Sequence, residues 1–80
     1  MSLSDKIESK LYTIFGNTNI IESEDRIIIM SLKNDNTYTV IYDKGKFILN
    51  ITIDIKLHKH IFSDVDKLFK YLDLLQNNIN

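Results

Sequence analysis

The stretch KFILNITIDIKL, residues 46–57, alternates apolar and mostly polar side chains along its whole length. A β-strand sends successive side chains to opposite faces of its sheet, so this pattern predicts a strand with one apolar and one wetter face. Residues 46–57 would span about 40 Å at roughly 3.3 Å per residue, which is about twice the length of an ordinary strand. The rest of the chain is expected to pair with this strand or to cover its apolar face.

Two shorter strands are predicted before it, over residues 26–33 and 37–43. The first is almost continuously apolar, and the second is rich in β-branched and aromatic residues, which favour strands. A Lys-Gly pair at 44–45 predicts a two-residue hairpin turn, and an Asn-Asp-Asn segment at 34–36 predicts a three-residue turn. These turns place large apolar residues opposite one another: Tyr42 and Phe47, Val40 and Leu49, Met30 and Val40, Ile28 and Tyr42.

Two amphipathic helices complete the predicted elements, over residues 3–15 and 63–76. Ser2 is a candidate cap for the first helix and Gly16 for its end, while Ser63 and Asp66 have capping-box spacing at the second. The polar segment 17–25 is expected to be a loop. The predicted fold is therefore α+β, a single domain over residues 1–80 in the order α-β-β-β-α, with a three-stranded antiparallel meander and both helices packed on one face.

The predicted sheet face opposite the helices carries a row of isoleucines. With the predicted two-residue and three-residue turns, Ile29 lies opposite Ile41 and Ile41 lies opposite Ile48, with Ile27 nearby. Contiguous exposed apolar surface marks partner-binding sites, whereas scattered apolar surface residues are ordinary, and one helix could also cross to that side. A protein interface on this face is one hypothesis. It fails if Ile41 is covered by a helix.

The far end of the long strand is a second candidate interface. Its partner strand ends near residue 37, so residues 53–57, including Ile53 and Ile55, have no partner within the meander. Such an overhang invites strand addition from another chain, unless the segment around residues 20–21 returns to pair with it. Homodimerisation through this edge, through the isoleucine face or through both is expected.

Catalysis, cofactor binding and metal binding have no signature in this chain. Cysteine is absent and glycine occurs only twice, which excludes a thiol nucleophile and a glycine-rich phosphate loop. His58 and His60 share one side of a strand, but a metal site needs three or four ligands, so a solvated strand end is expected. The absence of cysteine, of a charged-then-apolar leader and of any long apolar run predicts a cytoplasmic protein that is neither secreted nor membrane-spanning and has no membrane partner.

A mildly basic side supports an alternative function. Four lysines lie in residues 44–60, whose net charge is +3, although the whole chain carries a net charge of −1. They could contact the phosphates of a nucleic acid, weakly compared with most nucleic-acid domains. These candidate residues are Lys44, Lys46, Lys56 and Lys59.

The predicted α-β-β-β-α order resembles that of the double-stranded-RNA-binding domain. That family contacts RNA with a lysine-rich start to its last helix and a Gly-Pro-x-His loop after its first strand. Here the last helix starts Ser63-Asp64-Val65-Asp66 and the loop is Asn-Asp-Asn at 34–36, so the resemblance covers topology alone. The same order also occurs in small phage-encoded inhibitors, including some anti-CRISPR proteins.

The sequence thus favours a small non-enzymatic interaction module, homodimeric, that binds another copy or a host protein. Its abundant isoleucine, lysine and asparagine, with no alanine or proline, indicate an AT-rich genome. A virus- or mobile-element-encoded inhibitor or regulator would match that composition and size. The alternative is a weak nucleic-acid-binding domain.

Overall fold

A computed structural model of the chain describes residues 2–22 and 26–79. It contains two helices and one five-stranded antiparallel sheet, so the α+β class is confirmed and the three-stranded meander is corrected to five strands. Every strand pairs with its neighbour in sequence. The elements are α1 (Leu3–Phe15), β1 (Thr18–Glu22), β2 (Arg26–Lys33), β3 (Asn36–Asp43), β4 (Lys46–Ile53), β5 (Lys56–Phe62) and α2 (Val65–Ile79). With two more strands than predicted, the order no longer matches that of the double-stranded-RNA-binding domain.

The first added strand, β1, lies where a loop was predicted. It pairs with β2 so that Ile20 lies opposite Ile29 and Ile21 lies opposite Ile28. Ile20 packs against the core while Ile21 is exposed on the other face, as strand alternation requires. The surrounding polar residues hid this short strand in the sequence.

The predicted long strand is two strands joined by a tight turn. Asp54 and Ile55 both have left-handed backbone, with φ of 50° and 64°, and the chain reverses there. β5 then runs back beside β4, and Ile53 lies opposite Lys56. The predicted overhang at residues 53–57 therefore does not exist, and β5 instead forms one edge of the sheet while β1 forms the other.

The hairpin of β2 and β3 differs from its prediction by one residue. Asn34 and Asp35 make a two-residue turn, with φ of 53° and 65°, instead of the three-residue turn expected at 34–36. Lys33 consequently lies opposite Asn36, and every pair along these two strands moves by one position. A one-residue shift exchanges the two faces of a strand. The register of β3 and β4 is as predicted.

Both helices pack on the same face of the sheet and bury the core there. Ile7 and Leu11 of α1 and Leu68 and Leu72 of α2 are fully buried against strand residues such as Leu49. Phe15 also stacks on Tyr38, with ring centroids 3.8 Å apart. An ion pair between Lys10 and Asp73 joins the two helices.

The helix ends follow local chemistry. The α1 bounds are those predicted, the Ser2 hydroxyl accepts a hydrogen bond from the Asp5 N–H, and Gly16 closes the helix with φ of 73°. In α2 the cap is Asp64, whose Oδ1 accepts from the Lys67 N–H at 3.1 Å. The predicted start at Ser63 is therefore wrong by two residues, because the Asp64 carboxylate caps α2.

Candidate protein-binding face

The sheet face that neither helix covers, called here the helix-free face, carries one isoleucine on each strand. Each of these side chains lies directly opposite the next across the strand pairs. Directly opposed side chains on one face have Cβ atoms about 4.5–5.5 Å apart, so neighbours are in contact distance. We call this line of residues the isoleucine row: Ile21, Ile28, Ile41, Ile48 and Ile61.

The row results from the regular spacing of the turns. Two-residue turns at 34–35, 44–45 and 54–55 recur every ten residues. Ile28 and Ile41 are equally far from the first turn, Ile41 and Ile48 from the second, and Ile48 and Ile61 from the third. Residues directly opposite each other on paired strands lie on the same face, so these four isoleucines do. Five strands about 4.8 Å apart make a row about 19 Å long.

The isoleucine row is exposed to different extents along its length. Its two ends, Ile21 and Ile61, are each 59% exposed on the edge strands. The three central side chains are half-buried by their neighbours, and none of the row packs against the core beneath the helices. The row is therefore a continuous apolar strip on the surface of this chain.

Apolar surface continues along β2 and at Leu57 of β5, which lies opposite Thr52 and is 64% exposed, and the rest of the face beyond the isoleucine row is polar or charged. Met30 and Leu32 follow Ile28 at every second position and are 39% and 53% exposed. The corresponding positions of β3 and β4 are polar, and the aromatic residues of the sheet all lie on the helix-covered face. Those polar residues are Thr37, Thr39, Asn50 and Thr52.

Charged residues border the isoleucine row on one side. Arg26, Asp43 and Lys46 lie next to it on β2, β3 and β4, directly opposite one another. The Arg26 Nη2 and Asp43 Oδ2 atoms are 3.4 Å apart. On the other side of the row the same three strands carry no charge at the neighbouring positions, and Lys59 lies there on β5. On β2, β3 and β4 the apolar strip thus has a charged border on one side only.

Two of the six predicted interface residues lie on this face. Ile41 and Ile48 are there, uncovered by either helix. Ile29 is instead fully buried in the core and Ile27 packs against it, because the two-residue turn at Asn34 exchanged the faces of β2. This corrects their predicted placement.

The other two predicted interface residues lie at the turn between β4 and β5. Ile53 ends β4, and Ile55 occupies the second position of the turn with its side chain completely exposed. They do not form an open strand edge, because β5 pairs with β4 up to Lys56.

The four candidate phosphate-contacting lysines do not form one patch. Lys44 and Lys46 lie at the turn that joins β3 to β4, whereas Lys56 lies at the opposite end of β4. That end is about 23 Å away at roughly 3.3 Å per residue. Lys56 also falls on the helix-covered side, and Lys59 on the helix-free face.

The two histidines lie on the helix-covered side of β5. The His60 Nε2 atom lies 3.0 Å from the Tyr71 hydroxyl of α2, and the two rings are in contact. His58 is exposed. Within residues 2–22 and 26–79 no three side chains of the metal-ligating types come together. His60 therefore helps to hold α2 against the edge strand.

Ile21, Ile28 and Ile61 were missed by the sequence analysis. Ile21 lies in a segment predicted to be a loop, Ile61 lies between the long strand predicted over residues 46–57 and the second predicted helix, and Ile28 was placed on the opposite face. The ten-residue spacing of Asn34-Asp35, Lys44-Gly45 and Asp54-Ile55 is the signal that could have identified Ile28 and Ile61.

No protein-family model, curated protein or solved structure matches this chain. In the part of the chain that the structure describes, neither helix is long and apolar enough to cross a membrane.

Proposed function

We propose that this protein is a small non-enzymatic interaction module that binds another protein through its helix-free face. The observation that carries the proposal is the isoleucine row, which crosses the whole sheet on the side that α1 and α2 leave open. An inhibitor or regulator can act in this way, by occupying a partner's surface without chemistry of its own.

The free energy gained by burying apolar surface favours a partner that covers the isoleucine row. Removing apolar surface from water is favourable by about 25 cal/mol per Å², and burial of a whole isoleucine side chain by about 1.5–3 kcal/mol. Threonine at these positions would retain the β-branch and the strand preference without exposing apolar surface. The chain instead has isoleucine at all five, which makes the exposed apolar surface contiguous, as at sites of protein interaction.

The positions of the lysines and of the aromatic side chains favour protein binding over nucleic-acid binding. Proteins that bind single strands combine a positive groove with aromatic side chains on which bases stack. Here Lys44 and Lys56 are at opposite ends of the sheet, and the exposed sheet face carries no aromatic residue among those described.

The test uses a double variant of the row, Ile41→Thr with Ile48→Thr. These residues are directly opposed, and a Thr–Thr pair is well accommodated across antiparallel strands, so the fold should persist. The matched control is Leu74→Gln, which alters a side chain of α2 that is 60% exposed. Far-UV circular dichroism and thermal unfolding check that both variants fold.

The binding measurements are self-association by light scattering and affinity capture from an extract of the source cells. We expect whichever partner the wild type binds to be lost with the double variant and kept with Leu74→Gln. If neither self-association nor any captured protein depends on Ile41 and Ile48, the proposed function is refuted.

A further inference from the structure

Resting on the proposed function, we infer that the partner on the helix-free face is a second copy of this chain, related by a two-fold axis along the isoleucine row. Two sheets would then pack face to face as a sandwich about 10 Å thick, with the helices outside. Area, self-complementarity and charge support this arrangement.

The area of the face suits a full overlap of two copies. The sheet is about 19 Å wide, and strands such as β4, residues 46–53, are about 26 Å long, which gives about 500 Å² in plan. Two such faces together bury about 1,000 Å², and the pleat and side chains add to this. Specific interfaces need about 1,000 Å² in total, so the face suffices when all five strands are covered.

The isoleucine row makes the face complementary to itself. A two-fold interface brings the same patch of both subunits together, so that patch must match its own copy. Every strand contributes an isoleucine to the row. The rows of two copies therefore contact each other, isoleucine against isoleucine, when the two-fold axis runs along the row. The same is true when the axis runs parallel to the strands. The bordering charges distinguish these two axes.

An axis parallel to the strands brings like charges together. With all five strands overlapping, it passes over the central strand β3 and places Asp43 against its own copy and Arg26 against the copy of Lys46. Moving the axis toward β2 would bring Arg26 to the copy of Asp43. That shift leaves β5 and Ile61 uncovered, and the buried area falls below about 1,000 Å².

An axis along the isoleucine row avoids these contacts. Rotation about it turns the charged border of one copy over the opposite side of the row in the other copy, where β2, β3 and β4 carry no charge next to the row. Asp43 then faces the copy of Thr39 and Lys46 faces the copy of Asn50, while the Arg26–Asp43 pair stays intact within each chain. Since juxtaposed like charges at interfaces are unfavourable, this axis is preferred.

Mass in solution tests the identity of the partner. We expect sedimentation equilibrium of the wild-type chain to show a dimer at micromolar to millimolar concentration. The Ile41→Thr/Ile48→Thr variant places four substitutions in each dimer, and its dissociation constant should rise at least about 100-fold. The Leu74→Gln control should dimerise like the wild type.

Single-cysteine variants test the axis, because the chain has no cysteine of its own. Ile21 and Ile61 lie at opposite ends of the row. An axis along the row brings each of them near its own copy. Facing sheets are about 10 Å apart, too far for a disulfide, so a short bismaleimide is the appropriate cross-linker. Ile21→Cys and Ile61→Cys should each cross-link to themselves, and a mixture should give little mixed product.

The outcomes separate this inference from the proposed function. A monomer at millimolar concentration whose capture of another protein still depends on Ile41 refutes the second copy and leaves the proposed function standing. A monomer without any face-dependent binding refutes both. A dimer in which Ile21→Cys cross-links mainly to Ile61→Cys refutes the axis along the row.

Discussion

Ile55→Gly should stabilise this protein, although it deletes a large apolar side chain. Ile55 lies at the second position of a two-residue turn with φ of 64°, and its side chain is completely exposed. Two-residue turns with positive φ at both positions prefer Asn or Asp followed by Gly. A β-branched residue in this left-handed region is a conformational outlier.

The magnitude follows from two backbone terms. The left-handed conformation costs a residue with a Cβ atom roughly 1–2 kcal/mol relative to glycine. Glycine lowers the free energy of unfolding by about 0.5–1 kcal/mol, because an unfolded chain with glycine has more conformational freedom to lose on folding. The Ile55 side chain contributes no burial in the chain by itself, since it is fully exposed. The net expectation is a gain of about 1 kcal/mol in the free energy of unfolding.

Urea and thermal unfolding, followed by circular dichroism at a concentration where the chain is monomeric, measure this gain. For a domain of this size 1 kcal/mol corresponds to about 1 M in the urea midpoint and about 4–8 °C in Tm. Asp35→Gly is the matched control, because Asp35 has the same turn position with φ of 65° and aspartate tolerates it better. It should gain less than about half as much.

The reciprocal variant Gly45→Ile tests the same backbone effect in the opposite direction. Gly45 has φ of 77°, and a Cβ atom placed there would meet no other atom within 4 Å, so any loss is due to the backbone. It should destabilise by about 1–2 kcal/mol. The reasoning is refuted if Ile55→Gly leaves stability unchanged or lowers it while Gly45→Ile is tolerated.

Two further substitutions test single contacts in the same urea assay. Asp64→Ala removes the carboxylate that accepts a hydrogen bond from the Lys67 N–H, and it should lower the free energy of unfolding by about 1 kcal/mol. Ser63→Ala should change it by less than about 0.5 kcal/mol. Equal effects of the two substitutions would contradict Asp64 as the helix cap. Ser31→Ala removes a hydroxyl that is 1% exposed and has no hydrogen-bond partner. An unpaired buried hydroxyl costs about 1–3 kcal/mol, so the variant should be at least as stable as the wild type. A loss of stability above about 1 kcal/mol would show that the Ser31 hydroxyl does have a hydrogen-bond partner.

Much of the fold could be predicted wherever one strong local signal was present. Gly45 identified the turn between β3 and β4, and opposite charges at Asp43 and Lys46 agreed with it, so that register was correct. Helix α1 had a clear apolar stripe with Gly16 at its end, and its bounds were correct.

The errors in the long strand and in the β2–β3 register share a physical cause: the turns without glycine were misjudged. At Asp54-Ile55 the apolar alternation of β4 continued into the turn, because Ile55 stands where glycine or asparagine would normally stand. In β2 three consecutive isoleucines offer apolar residues to both faces, so shifting the register by one still matched apolar with apolar. The isoleucine row depends on both of these turns, and its membership could not be assigned without them.

The order of the strands has a consequence for how the chain folds. Because every strand pairs with its sequence neighbour, the sheet can assemble hairpin by hairpin, each closing only a short loop. The contact of α1 with α2, represented by Lys10 and Asp73, joins residues about 60 positions apart. We therefore expect the hairpins to form early and the closure of the two helices over the sheet to be a late step of folding.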